Sequence, residues 1–284
     1  MPSGKRARQQ RREAATRTPP PVRSKGGGGL GARQASPRAL AIGGGIVLVV
    51  VIAIVLAVVL GSGGSKSSTP SNLPATGSCK WAGALDGACD ANNLFKGIPQ
   101  SGLVLGRASA PVEMEMFIDV QCPICQRYEV DSLPTIVNKY IKTGKVQLHM
   151  QPWAFIGGAG SQSFSGRLGL IAATFQDKGF EYAKVLYDNQ GTESSGWLTS
   201  DVMNSIAASV NGLNIAQWSK DVDSSSAKTI ASTVDQLATQ KSVSGTPTVL
   251  IGPTHGQLHD IMPPGYAPTL QITEQQLDKA LKSG

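Results

Sequence analysis

Two cysteines separated by two residues, in the run Cys122-Pro123-Ile124-Cys125, are the side chains of this sequence best suited to covalent chemistry. They follow an apolar-rich segment, residues 112–120, and precede one that reads as helix. A thiol in the first turn of a helix meets unpaired backbone N–H groups and the positive end of the helix dipole, and both favour thiolate. Thiolate is the form that attacks a disulfide, and a second cysteine two residues on can resolve the mixed disulfide. In this context the pair points to a redox-active dithiol. The same spacing can be half of a zinc site, but tetrahedral zinc usually takes four ligands. The further donors available are Cys79, Cys89, His149, His255 and His259. His255 and His259 bracket Gly256 in an expected turn, which argues against one shared helical face. Met114, Met116, His149 and Met150 would suit a copper-handling protein, yet methionines that alternate along strands are better explained as core. No metal and no cofactor is expected.

The elements that must position the pair can be read from periodicity. Residues 112–119 read as a strand, with Pro111 at its entry where no ladder donor is needed. Residues 123–143 read as a helix bent or interrupted at Pro134 and stopped at Gly144. Residues 145–151 alternate Val146, Leu148 and Met150 with polar side chains, the period of a strand. Strand, helix and strand over about forty residues predict a βαβ unit with a parallel pair. The next stretch, about 160–240, is helical in character. Leu168, Ile171, Ala172 and Phe175 share a face there, and Phe180, Val185 and Leu186 mark a second helix. Residues 201–210 follow Ser200 as an N-cap, Asn214 caps a piece through Trp218, and Ile230, Val234 and Leu237 fall at helical spacing. Strand signals return at residues 248–251 and 258–262, and Thr273-Glu274-Gln275-Gln276 reads as a capping box opening a last helix.

Charge and composition divide the chain further. The formal charge of +7 would suit a nucleic-acid binder if it were spread over a folded domain. Ten basic residues lie among residues 1–38 against one acid, Glu13, so taking +9 from +7 leaves −2 for the remainder. Nucleic acid is therefore not an expected partner. Residues 1–38 are expected to be a disordered basic tail. Residues 39–60 carry no charge and are rich in Val, Ile and Leu, the length and character of a transmembrane helix. The basic flank predicts a cytoplasmic N-terminus, with the rest of the chain extracytoplasmic. Residues 61–78 read as a flexible Gly/Ser/Pro linker. The run Leu73-Pro74-Ala75-Thr76-Gly77 within it is similar to a sortase sorting signal, but it follows the apolar segment instead of preceding one, and is read as coincidence. All four cysteines lie beyond the span, on the side expected to be oxidising. Four cysteines allow three pairings; the simplest is local, with Cys79–Cys89 as a structural disulfide and Cys122–Cys125 as the reactive one. A second redox pair at Cys79 and Cys89 is the alternative.

From about residue 94 onward the order βαβ, helical block, ββα resembles DsbA-like thiol-disulfide oxidoreductases, a thioredoxin fold with an inserted helical domain. The resemblance is carried by Lys96-Gly97-Ile98-Pro99-Gln100, Leu105-Gly106, the run Phe117-Ile118-Asp119-Val120-Gln121 leading into the cysteines, and Val243-Ser244-Gly245-Thr246-Pro247-Thr248. It implies an α/β thioredoxin-like domain with a helical insertion at about 160–240, over residues 79–284, following the single N-terminal transmembrane helix expected above. It further implies that Cys122 is an exposed nucleophile and Cys125 the buried resolving thiol. Pro247 would be a cis-proline after Thr246, whose backbone would meet an extended substrate, and Pro123 and Ile124 would tune the redox poise. Many members carry a buried acid six residues before the first cysteine; here Met116 stands there, Glu115 should face the other side of the strand, and Asp119 is the nearest substitute. The implied activity is disulfide formation in reduced exported proteins by a monomeric, membrane-tethered oxidase. Its reoxidising partner would be a quinone-linked membrane protein of the DsbB or vitamin-K-epoxide-reductase type. Isomerase, reductase and metallochaperone are the alternatives.

Overall fold

The computed structural model describes residues 84–263 and 265–283. The expected tail, span and linker, the sorting-signal look-alike and Cys79 lie outside the described residues. Among the described residues, no helix is long and apolar enough to cross a membrane.

The described strands are β1 (Gln100–Ser101), β2 (Val104–Leu105), β3 (Val112–Ile118), β4 (Val146–Pro152), β5 (Thr248–Pro253) and β6 (His259–Asp260). They form one sheet in the order β1-β2-β4-β3-β5-β6. The expected parallel pair is present: β3 runs parallel to β4 and antiparallel to β5. A parallel neighbour requires a crossover, and helices after β3 supply it. β3 is central because its alternate residues serve two cores. Met114, Met116 and Ile118 enter the main core, whereas Phe117 packs with Ala238 and Leu250 on the opposite face.

The crossover is built of short helical pieces. Helix α1 (Ala88–Leu94) precedes the sheet, and α2 (Pro123–Asp131) and α3 (Leu133–Ile136) follow β3. The break falls at Ser132, two residues ahead of Pro134, because a proline ring collides with the carbonyl one turn earlier. A π-helical turn, Val137–Ile141, completes the segment, and Gly144 at φ 74° stops it as expected. The segment is thus three short pieces, interrupted beside Pro134 as expected.

Between β4 and β5 lie α4 (Gln162–Thr174), α5 (Gly179–Asp188), α6 (Ser200–Ala208), α7 (Ile215–Val222) and α8 (Ser225–Gln240). Asn214 caps α7 as expected, accepting from the Gln217 N–H at 3.1 Å. The cap of α6 is Thr199 and not Ser200, its hydroxyl accepting from the Val202 N–H at 3.3 Å. This helical block does not keep a core to itself. Leu170, Phe180, Val185 and Leu198 belong to the same apolar cluster as Met116, Cys125 and Val146. Gly166 allows the close approach: a Cβ there would sit 2.4 Å from Leu198 and 2.8 Å from Val120, just upstream of the cysteine pair.

Two expectations near the C-terminus are corrected. The strand expected at residues 258–262 shrinks to β6. The last helix, α9 (Leu270–Ser283), opens three residues before the supposed capping box. Thr269 sits at its start, and Thr273 is buried inside, bonding the Tyr128 hydroxyl at 2.8 Å. Anchorage against α2 overrode the local capping signal.

Candidate active site

β3 ends at Ile118, and a tight connection through Asp119 and Gln121 delivers the chain to α2. Cys122 is the N-cap of α2 and Pro123 opens its first turn, where a missing N–H costs nothing. The Cys122 Sγ accepts the Cys125 N–H at 3.4 Å and donates to the Thr246 carbonyl at 3.3 Å. Cys122 and Cys125 are both free thiols. The bond between Thr246 and Pro247 is cis, so the loop expected to face the pair does so. Cys122 is less open than expected, at 5% exposure, against 0% for Cys125. Ile124, at 41%, is the exposed residue of the motif.

The two thiols sit in opposed environments. The Cys122 pKa is lowered from 9.0 to about 6. The Cys125 side chain contributes most, partial burial opposes it, and the Cys125 N–H, the Thr246 hydroxyl and the Ile124 N–H add to the lowering. Burial pushes the Cys125 thiol well up, reinforced by the neighbouring Cys122 sulfur. One cysteine is therefore a ready nucleophile and the other a reluctant acid. Thr246 touches Cys122 through its carbonyl, while its hydroxyl is buried without a hydrogen-bond partner and lies where it favours the thiolate. Thr246→Val should move the Cys122 midpoint measurably above pH 6 in a thiolate absorbance titration; an unmoved midpoint would remove the hydroxyl from the site.

Residues from distant parts of the chain hold this geometry. The Gln190 side chain donates to the carbonyls of Val120 at 2.9 Å and Cys122 at 3.3 Å. The Tyr187 hydroxyl donates to the Asp119 carbonyl at 3.0 Å. Asp119 is committed to structure: Oδ1 accepts from the Gln121 N–H at 2.8 Å and the Ser163 hydroxyl at 2.6 Å, and Oδ2 accepts from the Ile156 N–H at 2.7 Å. Its carboxylate is occupied by donors and is a poor stand-in for the missing acid. Met116 is fully buried in the core. Glu115 lies on the other face of the sheet, as expected, accepting from Gln151 at 2.9 Å and pairing with Lys241 at 2.7 Å.

The metal alternatives lose their geometry. His149 faces Glu113 and Gln147, on the face of β4 opposite to Met150, which lies in the main core with Met114, Met116 and the dithiol. His255 lies in the turn after β5 and His259 on the edge strand β6. Among the described residues, no group of three or more His, Cys, Asp or Glu is placed to hold a metal ion. Cys89 is disulfide-bonded; its expected partner, Cys79, lies outside the described residues.

A strand-to-helix dithiol facing a cis-proline loop across a mixed sheet is the arrangement of one family, and residues 99–260 match the family model described as Thioredoxin. The chain belongs to the thioredoxin family. Within it, the chain is 30% identical over 181 residues to the probable disulfide bond formation protein D of Bacillus cereus, covering 63% of this chain and 78% of that protein. Two solved structures share its fold. The oxidised BdbD of Bacillus subtilis aligns with a TM-score of 0.54 at 19% identity, covering 64% of this chain and 93% of that one. The DsbA of Chlamydia trachomatis aligns at 0.52 and 19% identity, covering 73% and 96%. This thioredoxin-family chain, with its helical insertion, is a protein disulfide oxidoreductase.

Proposed function

We propose that the protein is a membrane-tethered extracytoplasmic oxidase that places disulfides in reduced exported proteins, with Cys122 as nucleophile and Cys125 as resolving thiol. The observation that carries the direction is the stabilised Cys122 thiolate, with its pKa near 6. A folded-state pKa below the ordinary thiol value stabilises the reduced protein above that pKa, and the benefit is lost as pH falls through about 6. A dithiol whose reduced form is favoured is a strong oxidant. The name of the Bacillus cereus relative, a disulfide bond formation protein, agrees with this direction. The exposed Ile124, within the motif itself, provides apolar surface beside the dithiol for an unfolded substrate. Residues 39–60 serve as the anchor in this reading, and Cys79–Cys89 as a structural clip.

After each turnover the dithiol must be reoxidised, and a membrane protein of the DsbB or vitamin-K-epoxide-reductase type fits an anchored donor. The deciding measurement is the reduction potential of the full-length chain at neutral pH, together with its ability to oxidise a reduced, unfolded protein. A value close to about −120 mV, with oxidation of that substrate, is the expected result. A value close to about −270 mV would make the protein a reductase. Stoichiometric copper or zinc held by both thiols, without exchange, would end the redox reading.

A further inference from the structure

One buried acid beneath the dithiol has no part in the chemistry above. Glu129 lies on α2 at i,i+4 spacing from Cys125, so the two share a helix face. It is 1% exposed, and its Oε1 has no hydrogen-bond partner. An unpaired carboxyl in an apolar core is costly, and native proteins rarely keep one without a use. The charged and titratable groups facing it come from two elements. Tyr128 and Cys125 belong to α2, and Lys184, Tyr187 and Asp188 belong to α5. Burial, and after it the charges of Cys125, Glu129, Asp119 and Cys122, push the Tyr187 phenol far up. Its ring therefore lies within electrostatic reach of both the thiols and Glu129.

The outer side of Glu129 leads to water. Lys184 and Asp188 form an ion pair one turn apart on α5. Both line a groove of about 710 Å³ bordered by Asp86 and Asp90 beside α1, and by Val130 and Pro134 of the crossover helices. Asp188 Oδ2 is a second buried oxygen without a partner. The charges of Asp90 and Asp86 bear on Asp188 across this groove, behind the larger effect of its own burial.

We propose that Glu129 exchanges the proton of the Cys125 thiol, and that the Lys184–Asp188 pair and its groove connect Glu129 to solvent. This rests on the disulfide-exchange reading of the two cysteines. When the protein oxidises a substrate, the substrate thiolate attacks Cys122 Sγ and the Cys122–Cys125 bond breaks. Cys125 leaves with the electron pair and takes the proton of the neutral Glu129 carboxyl, which is refilled through the groove. In reoxidation, the Cys122 thiolate first attacks the disulfide of the electron-accepting partner. The Glu129 carboxylate then takes the Cys125 proton as that sulfur attacks Cys122 Sγ and expels the partner's thiolate. Burial holds the Glu129 pKa up at about 8, with Lys184 opposing and Asp188 reinforcing the rise, so both forms are accessible.

The test is the rate at which a small thiol opens the disulfide of the full-length chain, measured across pH and normalised to attacking thiolate. The wild-type rate should fall through an inflection near pH 8. Glu129→Gln, which resembles the neutral acid and should fold as the parent does, should lose the inflection and slow the step by about 10- to 100-fold. Alkylation of Cys122 should keep its midpoint near pH 6 in that variant. Lys184→Met should move the inflection upward and Asp188→Asn downward, opposite shifts that a loss of packing would not produce. An unchanged rate and profile in Glu129→Gln, with the wild type exchanging normally, would overturn the proton path alone. A wild type that exchanges with no thiol would overturn the disulfide-exchange reading and the path with it.

Discussion

Cys125→Ser should turn the protein from a catalyst into a trap. Steady-state oxidation of a reduced substrate is expected to fall by about three orders of magnitude or more, while covalent adducts on Cys122 accumulate and dissolve under reductant. The reason lies in the division of labour between the sulfurs. Cys122 keeps its N-cap position, the Thr246 contact and the backbone N–H groups that favour thiolate, so it still attacks disulfides. The loss of the Cys125 side chain weakens that thiolate, because the thiol is its largest single support. What disappears altogether is the second sulfur, fully buried one helical turn away, that would resolve the mixed disulfide. Cys122→Ser should abolish activity and adducts together. Non-reducing electrophoresis with mass spectrometry of the adducts checks both variants. Turnover by Cys125→Ser at the parental rate would mean that resolution is intermolecular.

The parts of this site that were legible in the sequence are those encoded by neighbours in the chain. A Cys-x-x-Cys after an apolar strand and before a helix states its own context, and the proline at the second helical-entry position is consistent with it. Gly144 and Asn214 were readable for the same reason: a left-handed stop and an N-cap depend on the residues next to them. The supposed capping box at Thr273 was equally local and failed. Thr273 pairs with Tyr128 and Leu277 enters the main core, so docking on α2 decided where α9 begins. Glu129 carries only a local signal, an acid on the face of α2 that holds Cys125. Its meaning required Lys184 and Asp188, which only folding brings beside it. Gln190 and Tyr187 gave no signal at all, since their work is to hold carbonyls at the far side of the helical block. The helical insertion itself was legible as a block of helices between two strands, but the core it packs into was not. Apolar stripes show that a helix is buried, but not that it shares one core with the sheet.

Asp119 separates these two kinds of information most sharply. Proximity to the cysteines made it the nearest substitute acid, whereas its partners make it a brace. Three donors converge on its carboxylate from the α2 entry, the chain after β4 and the start of α4. Asp119→Ala would leave two backbone N–H groups, of Gln121 and Ile156, together with the Ser163 hydroxyl, without their shared acceptor. An orphaned buried donor costs roughly 1–3 kcal/mol, and bonds to a charged acceptor are stronger than neutral ones. The variant should therefore lose about 4 kcal/mol of stability in urea unfolding, a large share of the margin of an ordinary domain. Asp119→Asn should lose less, because its amide oxygen still accepts. The functional consequence should differ from that of a missing proton carrier. With Ile156 and Ser163 released, the turn that presents Cys122 loosens, so the Cys122 midpoint should rise above about 6 while resolution by Cys125 continues. A stable Asp119→Ala protein with an unmoved Cys122 midpoint and a slowed resolving step would reverse the assignment, making Asp119 the acid of the site and not its brace.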